Sequence, residues 1–262
     1  MDHSRELPMF SDVELALAYN VANAPIRIFP YPHIYVENVF PPKFYAEIQR
    51  NIPDPSAMIP IEQSRPVKGY KERFVLDIAG EQTQTLPDTQ KTFWKDFSGG
   101  LLSGRFRNLM MQIFAPFLQQ RFKGAQGLSF YDEALLVEDI TKYALGPHTD
   151  SPRKVLTFLF YLPKDDSQSH LGTSIYIARD GTFTCPGGPH YPFDKFQRVT
   201  TMPFKPNALF AFVKTETSFH GVEPVTDPDT KRWLLLYDIY VRQAAQQPLN
   251  APQTSGNVTF KM

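Results

Sequence analysis

A single cysteine, Cys185, in 262 residues excludes any disulfide within the chain and suits a reducing compartment. Net charge is missing as well, since 27 Lys and Arg stand against 27 Asp and Glu. That balance offers no basic face for nucleic acid and no block of like charge that would mark a tail. No apolar run approaches transmembrane length, and the opening "MDHSRELPMF" lacks the basic-then-apolar pattern of a secretory leader. These absences lead us to expect a soluble cytoplasmic protein with no nucleic-acid or membrane partner; they carry no information on oligomeric state. Aromatic side chains, by contrast, are plentiful, with 22 Phe and 12 Tyr, so a sizeable core can be buried.

Residues 1–30 are weakly patterned and read as an extension, with a short helix over Val13–Val21. Residues 31–242 read as one domain. "YPHIYVENVF" predicts a strand, and "PPKFYAEIQRNIP" a short helix, because proline is accepted in the first helical turn. Residues 53–90 read mostly as loop, with a strand near Phe74–Ile78. From "TFWKDF" onward, Leu102, Phe106, Leu109, Met110, Ile113, Phe114 and Phe117 follow i, i+3, i+4 spacing and predict a helix packed on a sheet. Gly99-Gly100 separates it from a shorter helix before it, and Pro116 kinks it.

Beyond residue 128 the runs "EALLVEDI", "KVLTFLFYL", "TSIYIAR", "ALFAFVK", "SFHGVEPV" and "RWLLLYDIYV" alternate with Pro, Gly, Asp and Asn clusters. Few of them alternate cleanly apolar and polar, so both faces are expected to be covered. The expected fold class is mainly β with flanking helices (α+β). Its core is a jelly-roll over about 128–242, buttressed by N-terminal helices. The last segment, 243–262, lacks periodicity and reads as a loose tail.

Two polar groups stand at the lip of an apolar strand in "PHTDSPRKVLTFLFYLP". In extended backbone, alternate side chains share a face, so His148 and Asp150 aim at one point. The plainer reading is a surface loop in which Asp150 caps a turn. "SFHGVEPV" opens another strand with His220, and Arg232 enters "RWLLLYDIYV" 12 residues later. A guanidinium opening so apolar a strand is costly to bury without an anion. Either a distant carboxylate pairs with Arg232, Asp238 being the first acid along that strand, or a ligand does. Two histidines and one carboxylate with open positions are the ligand set of non-haem Fe(II) oxygenases. An arginine fork suits the remote carboxylate of a keto-acid cosubstrate.

The segments "PHTDSPRKVLTFLFYLP", "LGTSIYIA", "PNALFAFVKTETSFHGVEPV" and "RWLLLYDIY" resemble the catalytic half of the 2-oxoglutarate- and Fe(II)-dependent oxygenase superfamily, in the style of its prolyl-hydroxylase-like branch. The resemblance covers roughly 128–242 and is looser in "YPHIYVENVFPPKFYAEI". It implies a double-stranded β-helix. It further implies iron ligation by His148, Asp150 and His220, with Arg232 on the 5-carboxylate of 2-oxoglutarate and Tyr161 and Thr157 beside that cosubstrate. The implied activity is hydroxylation of a C–H bond with O2, releasing succinate and CO2. Leu171-Gly172 stands where relatives carry Gly-Gly, and Leu236 where some carry a hydroxyl. Two other readings of the residues remain: a cupin-like oxygenase or Zn hydrolase, or a jelly-roll binding module without catalysis. His170 reads as a solvated loop residue and Cys185 as structural. His190 lies in a Pro/Gly/aromatic stretch whose composition suits a lid over 181–200 facing a small-molecule or peptidyl substrate.

Overall fold

The computed structural model describes residues 11–65, 67 and 69–242. The stretch 243–262 and the first ten residues lie outside the described residues. Helix α1 (Asp12–Ala22) opens with a capping box, Ser11 taking the Glu14 amide while the Glu14 carboxylate takes the Ser11 amide. Strand β1 covers only His33–Val36 of the expected "YPHIYVENVF", and Asn38 follows at φ 54°, where the chain turns away. Helix α2 (Pro42–Arg50) starts on its proline. The stretch expected to be mostly loop holds β2 (Ile59–Pro60), α3 (Ile61–Ser64) and β3 (Arg73–Asp77). Helix α4 (Asp88–Asp96) runs into a π-turn at Phe97–Leu101, so Gly99-Gly100 does separate two helices.

The long helix expected next is two helices, α5 (Gly104–Ile113) and α6 (Ala115–Arg121). Pro116 sits in the first turn of α6, where its missing amide costs nothing, and so begins a helix instead of bending one.

Strands β4 (Ser129–Ile140), β5 (Leu145–His148), β6 (Lys154–Tyr161), β7 (Ser174–Ala178), β8 (Phe196–Thr201), β9 (Ala208–Val213), β10 (His220–Val222) and β11 (Lys231–Arg242) complete the chain. They form two sheets, ordered β1-β9-β6-β11-β4-β3-β2 and β5-β10-β7-β8. Every named pairing is antiparallel. From β4 onward the chain passes back and forth between the sheets, which is the winding of a double-stranded β-helix. Residues 196–200, expected as part of a lid, lie in the edge strand of the smaller sheet, β8.

Two apolar layers line the large sheet. Leu156, Phe158 and Phe160 of β6 and Leu235, Tyr237 and Ile239 of β11 face the helices. Leu159 and Tyr161 of β6 and Leu234 and Leu236 of β11 face the barrel interior. Strand parity therefore puts Arg232, Asp238 and Thr157 inside the barrel as well. That is why β6 and β11 read as continuous apolar runs: each face has a partner.

The helical layer meets the sheet at Phe160, which is buried and stacks on Phe40 at 5.5 Å between centroids. Phe160→Ala is expected to cost about 3–5 kcal/mol of unfolding free energy. Tyr19→Ser, on the exposed face of α1, should stay within about 0.5 kcal/mol of the parent protein. Urea denaturation of both variants checks the assignment of the two faces.

Candidate active site

His148 is the last residue of β5 and His220 the first of β10, and the two pair directly across the ladder. Their rings lie 4.3 Å apart between centroids. The close approach has a local requirement: a Cβ on Gly221 would fall 2.4 Å from the Leu145 carbonyl oxygen. Each ring has Nδ1 at 3.0 Å from a backbone carbonyl, His148 from Gly146 and His220 from Ser218. A carbonyl can only accept, so both Nδ1 atoms carry the proton and both Nε2 atoms present a lone pair. Asp150 lies in the turn after β5, with Oδ2 at 3.9 Å from His220 Nε2. One ligand atom from each of His148, Asp150 and His220 lies within 4.8 Å of the others, the one such group among the described residues.

Charge state follows from burial and neighbours. Burial, then the adjacent His220, depresses His148 to about 3. Burial lowers His220 too, partly opposed by Asp150. Burial alone would raise the Asp150 carboxyl, but Lys154 and the two histidines outweigh it and hold it well below the usual carboxylate range. Two neutral imidazoles and one carboxylate are the donors a divalent transition ion requires.

Asp150 is fixed through both oxygens. Thr157 donates to Oδ2 at 2.8 Å, and Lys154 Nζ lies 3.0 Å from Oδ1. Lys154 also lies 3.0 Å from Asp238 Oδ2, so Asp238 pairs with Lys154 and not with Arg232. Thr157, expected beside the cosubstrate, is bonded to the candidate metal-binding carboxylate.

Arg232 is buried at the other end of β11. Its Nε donates to the Leu171 carbonyl at 2.7 Å and its Nη1 to Asp139 Oδ2 at 2.7 Å. A distant carboxylate does pair with it, but that carboxylate is shared. Arg73 donates to Asp139 Oδ1 at 2.6 Å and to Oδ2 at 2.9 Å. Two guanidiniums on one acid leave positive charge over, and Arg232 Nη2 is buried with no partner among the described residues. Phe204 lies 4.5 Å and Tyr161 5.9 Å from the Arg232 guanidinium carbon. The Tyr161 hydroxyl accepts the Thr173 amide at 3.2 Å. A second orphan stands close by: the buried Tyr143 hydroxyl has no partner among the described residues, and the Tyr143 ring lies 4.5 Å beneath the Arg73 guanidinium.

His190 approaches the histidine pair from the 181–195 segment, 4.4 Å from His148 between ring centroids. Its Nδ1 is 2.8 Å from the Tyr70 hydroxyl. The segment is tied down by the Tyr191 amide on the Pro147 carbonyl at 2.9 Å. Cys185 is buried among Tyr176, Phe196 and Phe219, in keeping with a structural role. His170 pairs with Asp227 in an exposed turn. No helix among the described residues is long and apolar enough to cross a membrane.

No protein-family profile matches the chain, and no curated protein matches it. Solved structures do resemble it. A prolyl hydroxylase from Trichoplax adhaerens, in complex with a hypoxia inducible factor peptide fragment, is 12% identical at a TM-score of 0.47, over 87% of this chain and 90% of that one. A Pseudomonas putida prolyl-4-hydroxylase is 15% identical at 0.46, over 88% and 100%. HygX from Streptomyces hygroscopicus, with nickel and 2-oxoglutarate bound, is 11% identical at 0.42, over 79% and 82%. At such identities and scores, the chemistry of this chain rests on its own residues.

Removing the acid that two buried guanidiniums share should be severe. Asp139→Asn is expected to cost about 3–5 kcal/mol, as breaking a buried ion pair does. Glu47→Gln, in an exposed pair with Arg50, should cost less than about 1 kcal/mol. Chemical denaturation of the two variants measures the contrast.

Proposed function

We propose that this protein is an Fe(II)- and 2-oxoglutarate-dependent oxygenase, and that residues 31–242 form its catalytic domain. The observation that carries the reading is the unpartnered Nη2 of Arg232, buried in the same barrel that holds the His148, Asp150 and His220 cluster. A buried donor on a charged group is expensive to leave unmade, so a site that keeps one has a use for it. A Zn hydrolase or a cupin-like oxygenase would use the three ligands and leave that donor idle. A carboxylate-bearing cosubstrate uses both.

The residues fit the implied groups. His148 and His220 through Nε2, and Asp150 through its carboxylate, would hold Fe(II). Arg232 would take the far carboxylate of 2-oxoglutarate through Nη2, with the Tyr161 and Tyr143 hydroxyls in support. When bound, iron with O2 supplies the oxidising power, coupled to conversion of the keto acid to succinate and CO2. The chain supplies the rest. Leu159, Leu236 and Phe212 make a dry wall, which strengthens charge interactions inside it. Nδ1–H bonds to Gly146 and Ser218 keep both imidazoles in the ligating tautomer and aimed. Thr157 fixes Asp150 from beneath.

The reading extends to a C–H hydroxylation on a small-molecule or peptidyl substrate. His190 and Tyr70 stand beside the histidine pair where such a substrate would enter, which supports a substrate-facing role for the 181–195 segment. The lone buried Cys185 is consistent with a reducing, cytoplasmic setting.

Adding Fe(II) and then 2-oxoglutarate without air should give the weak visible charge-transfer band of a chelated keto acid. His148→Ala, Asp150→Ala and His220→Ala should each abolish the band and Fe(II)-dependent succinate release with the fold largely kept; near-normal turnover by His220→Ala at limiting iron would refute the ligand assignment. Arg232→Lys keeps the charge but loses the fork, and should weaken 2-oxoglutarate about 10- to 150-fold while changing Fe(II) affinity little. Lost thermal stability with an unchanged KM for 2-oxoglutarate would leave Arg232 as a structural partner of Asp139 alone.

A further inference from the structure

The two oxygens of Asp150 have different surroundings. Oδ2 faces His220 Nε2 at 3.9 Å and accepts from Thr157 at 2.8 Å. Oδ1 lies 3.0 Å from Lys154 Nζ. An exposed lysine would sample many rotamers, but this one is held. Its ammonium is 3.0 Å from Asp238 Oδ2 and 5.9 Å from the Tyr240 ring centroid, and its side chain is only 9% exposed. Asp238 belongs to the neighbouring strand, in register with Thr157, so β6 and β11 together fix the height of the ammonium above the metal cluster. Asp238 in turn accepts from the Tyr240 hydroxyl at 3.3 Å.

We propose that Lys154 is a positioning residue for the metal-binding carboxylate, holding Asp150 Oδ1 aside so that the group ligates through Oδ2 alone. A carboxylate can chelate a divalent ion with both oxygens or bind with one. Chelation by Asp150 would consume a coordination position. Two histidines and one single-oxygen carboxylate leave three, of which a keto acid takes two and O2 the third. Turning Oδ1 toward the ion would break a charge-assisted contact and leave Lys154 leaning on Asp238 alone. The same ammonium keeps Asp238, a second buried carboxylate on the same inner face, from joining the ligand set. This inference rests on the oxygenase reading above.

The test counts open positions instead of turnover. Nitric oxide, as a stand-in for O2, is titrated anaerobically into full-length protein loaded with Fe(II) and 2-oxoglutarate, and followed by electron paramagnetic resonance. Lys154→Met removes the clamp; Lys154→Met with Asp238→Asn removes it without stranding the Asp238 carboxylate, while bound Fe(II) compensates Asp150, which guards against misfolding. Both should still bind Fe(II) and 2-oxoglutarate with the visible band, but take up nitric oxide at least about tenfold more weakly, because Asp150 Oδ1, released from its charge-assisted contact, competes for the third position. Lys154→Arg, which keeps the cation, should recover part of that affinity. Unchanged nitric oxide affinity in the folded double variant would overturn the proposal. So would loss of Fe(II) itself, which would assign Lys154 to holding the site together. Wild-type protein without a charge-transfer band would instead overturn the oxygenase reading, and this inference with it.

Discussion

Charge cannot be left uncompensated inside an apolar barrel, and this barrel meets that constraint twice, with opposite remainders. At one end Arg73 and Arg232 share the single carboxylate of Asp139, so the cluster is cationic. At the other end Asp150 and Asp238 share the ammonium of Lys154, so the acids outnumber the cation paired with them and this end is acidic. The interior is thus polarised along β11, which contributes Arg232 to one cluster and Asp238 to the other. Under the proposed reading, a divalent cation takes the acidic end and a carboxylate the cationic end. A molecule that chelates the cation with one end and carries a carboxylate at the other matches both remainders at once. That match is more selective than either cluster taken singly, because each alone could be a structural ion pair.

The fold supplies the distances. Arg232 and Asp238 share one face of one strand, with Leu234 and Leu236 between them, so an apolar wall separates the charged ends. Thr157 and Tyr161 repeat the arrangement on β6: the hydroxyl near Asp150 steadies the acidic end and the phenol near Arg232 borders the cationic one. Helices α5 and α6 and the π-turn before them lie in the outer core layer, on the helix-facing side of the large sheet. Their Phe and Met side chains cover the outer face of the large sheet, which lets β6 and β11 be apolar on both sides.

Much of this is visible in one dimension. Strong apolar runs gave β6, β7, β9 and β11 almost to the residue, and the spacing of His148 and Asp150 aimed that pair at one point, to which the family resemblance added His220. Two strands of the smaller sheet left little trace. β5 reads "LGPH", with glycine and proline where strand formers are expected, and β8 reads "FQRVTT", a mostly exposed edge strand with a weak apolar signal. The cation argument that singles out Arg232 applies equally to Lys154, which opens "KVLTFLFYL". What the sequence withholds is the partner: Asp139 lies 93 residues from Arg232, and Asp238 lies 84 residues from Lys154, so only the strand order reveals the pairings. The same holds for Thr157, whose inward parity is readable but whose bond to Asp150 depends on the turn after β5.

Strand β10 is three residues long, and its pairing with β5 runs through the two histidines themselves. In energetic terms, the smaller sheet ends at the site. An ion bridging His148 and His220 would act as a cross-link between two short strands, and its binding free energy would be shared with the folding of that sheet. Loading and folding are then one linked equilibrium at this edge of the barrel. The population with a well-formed β5–β10 ladder would rise with the free metal concentration around the protein, and amide exchange there would report it.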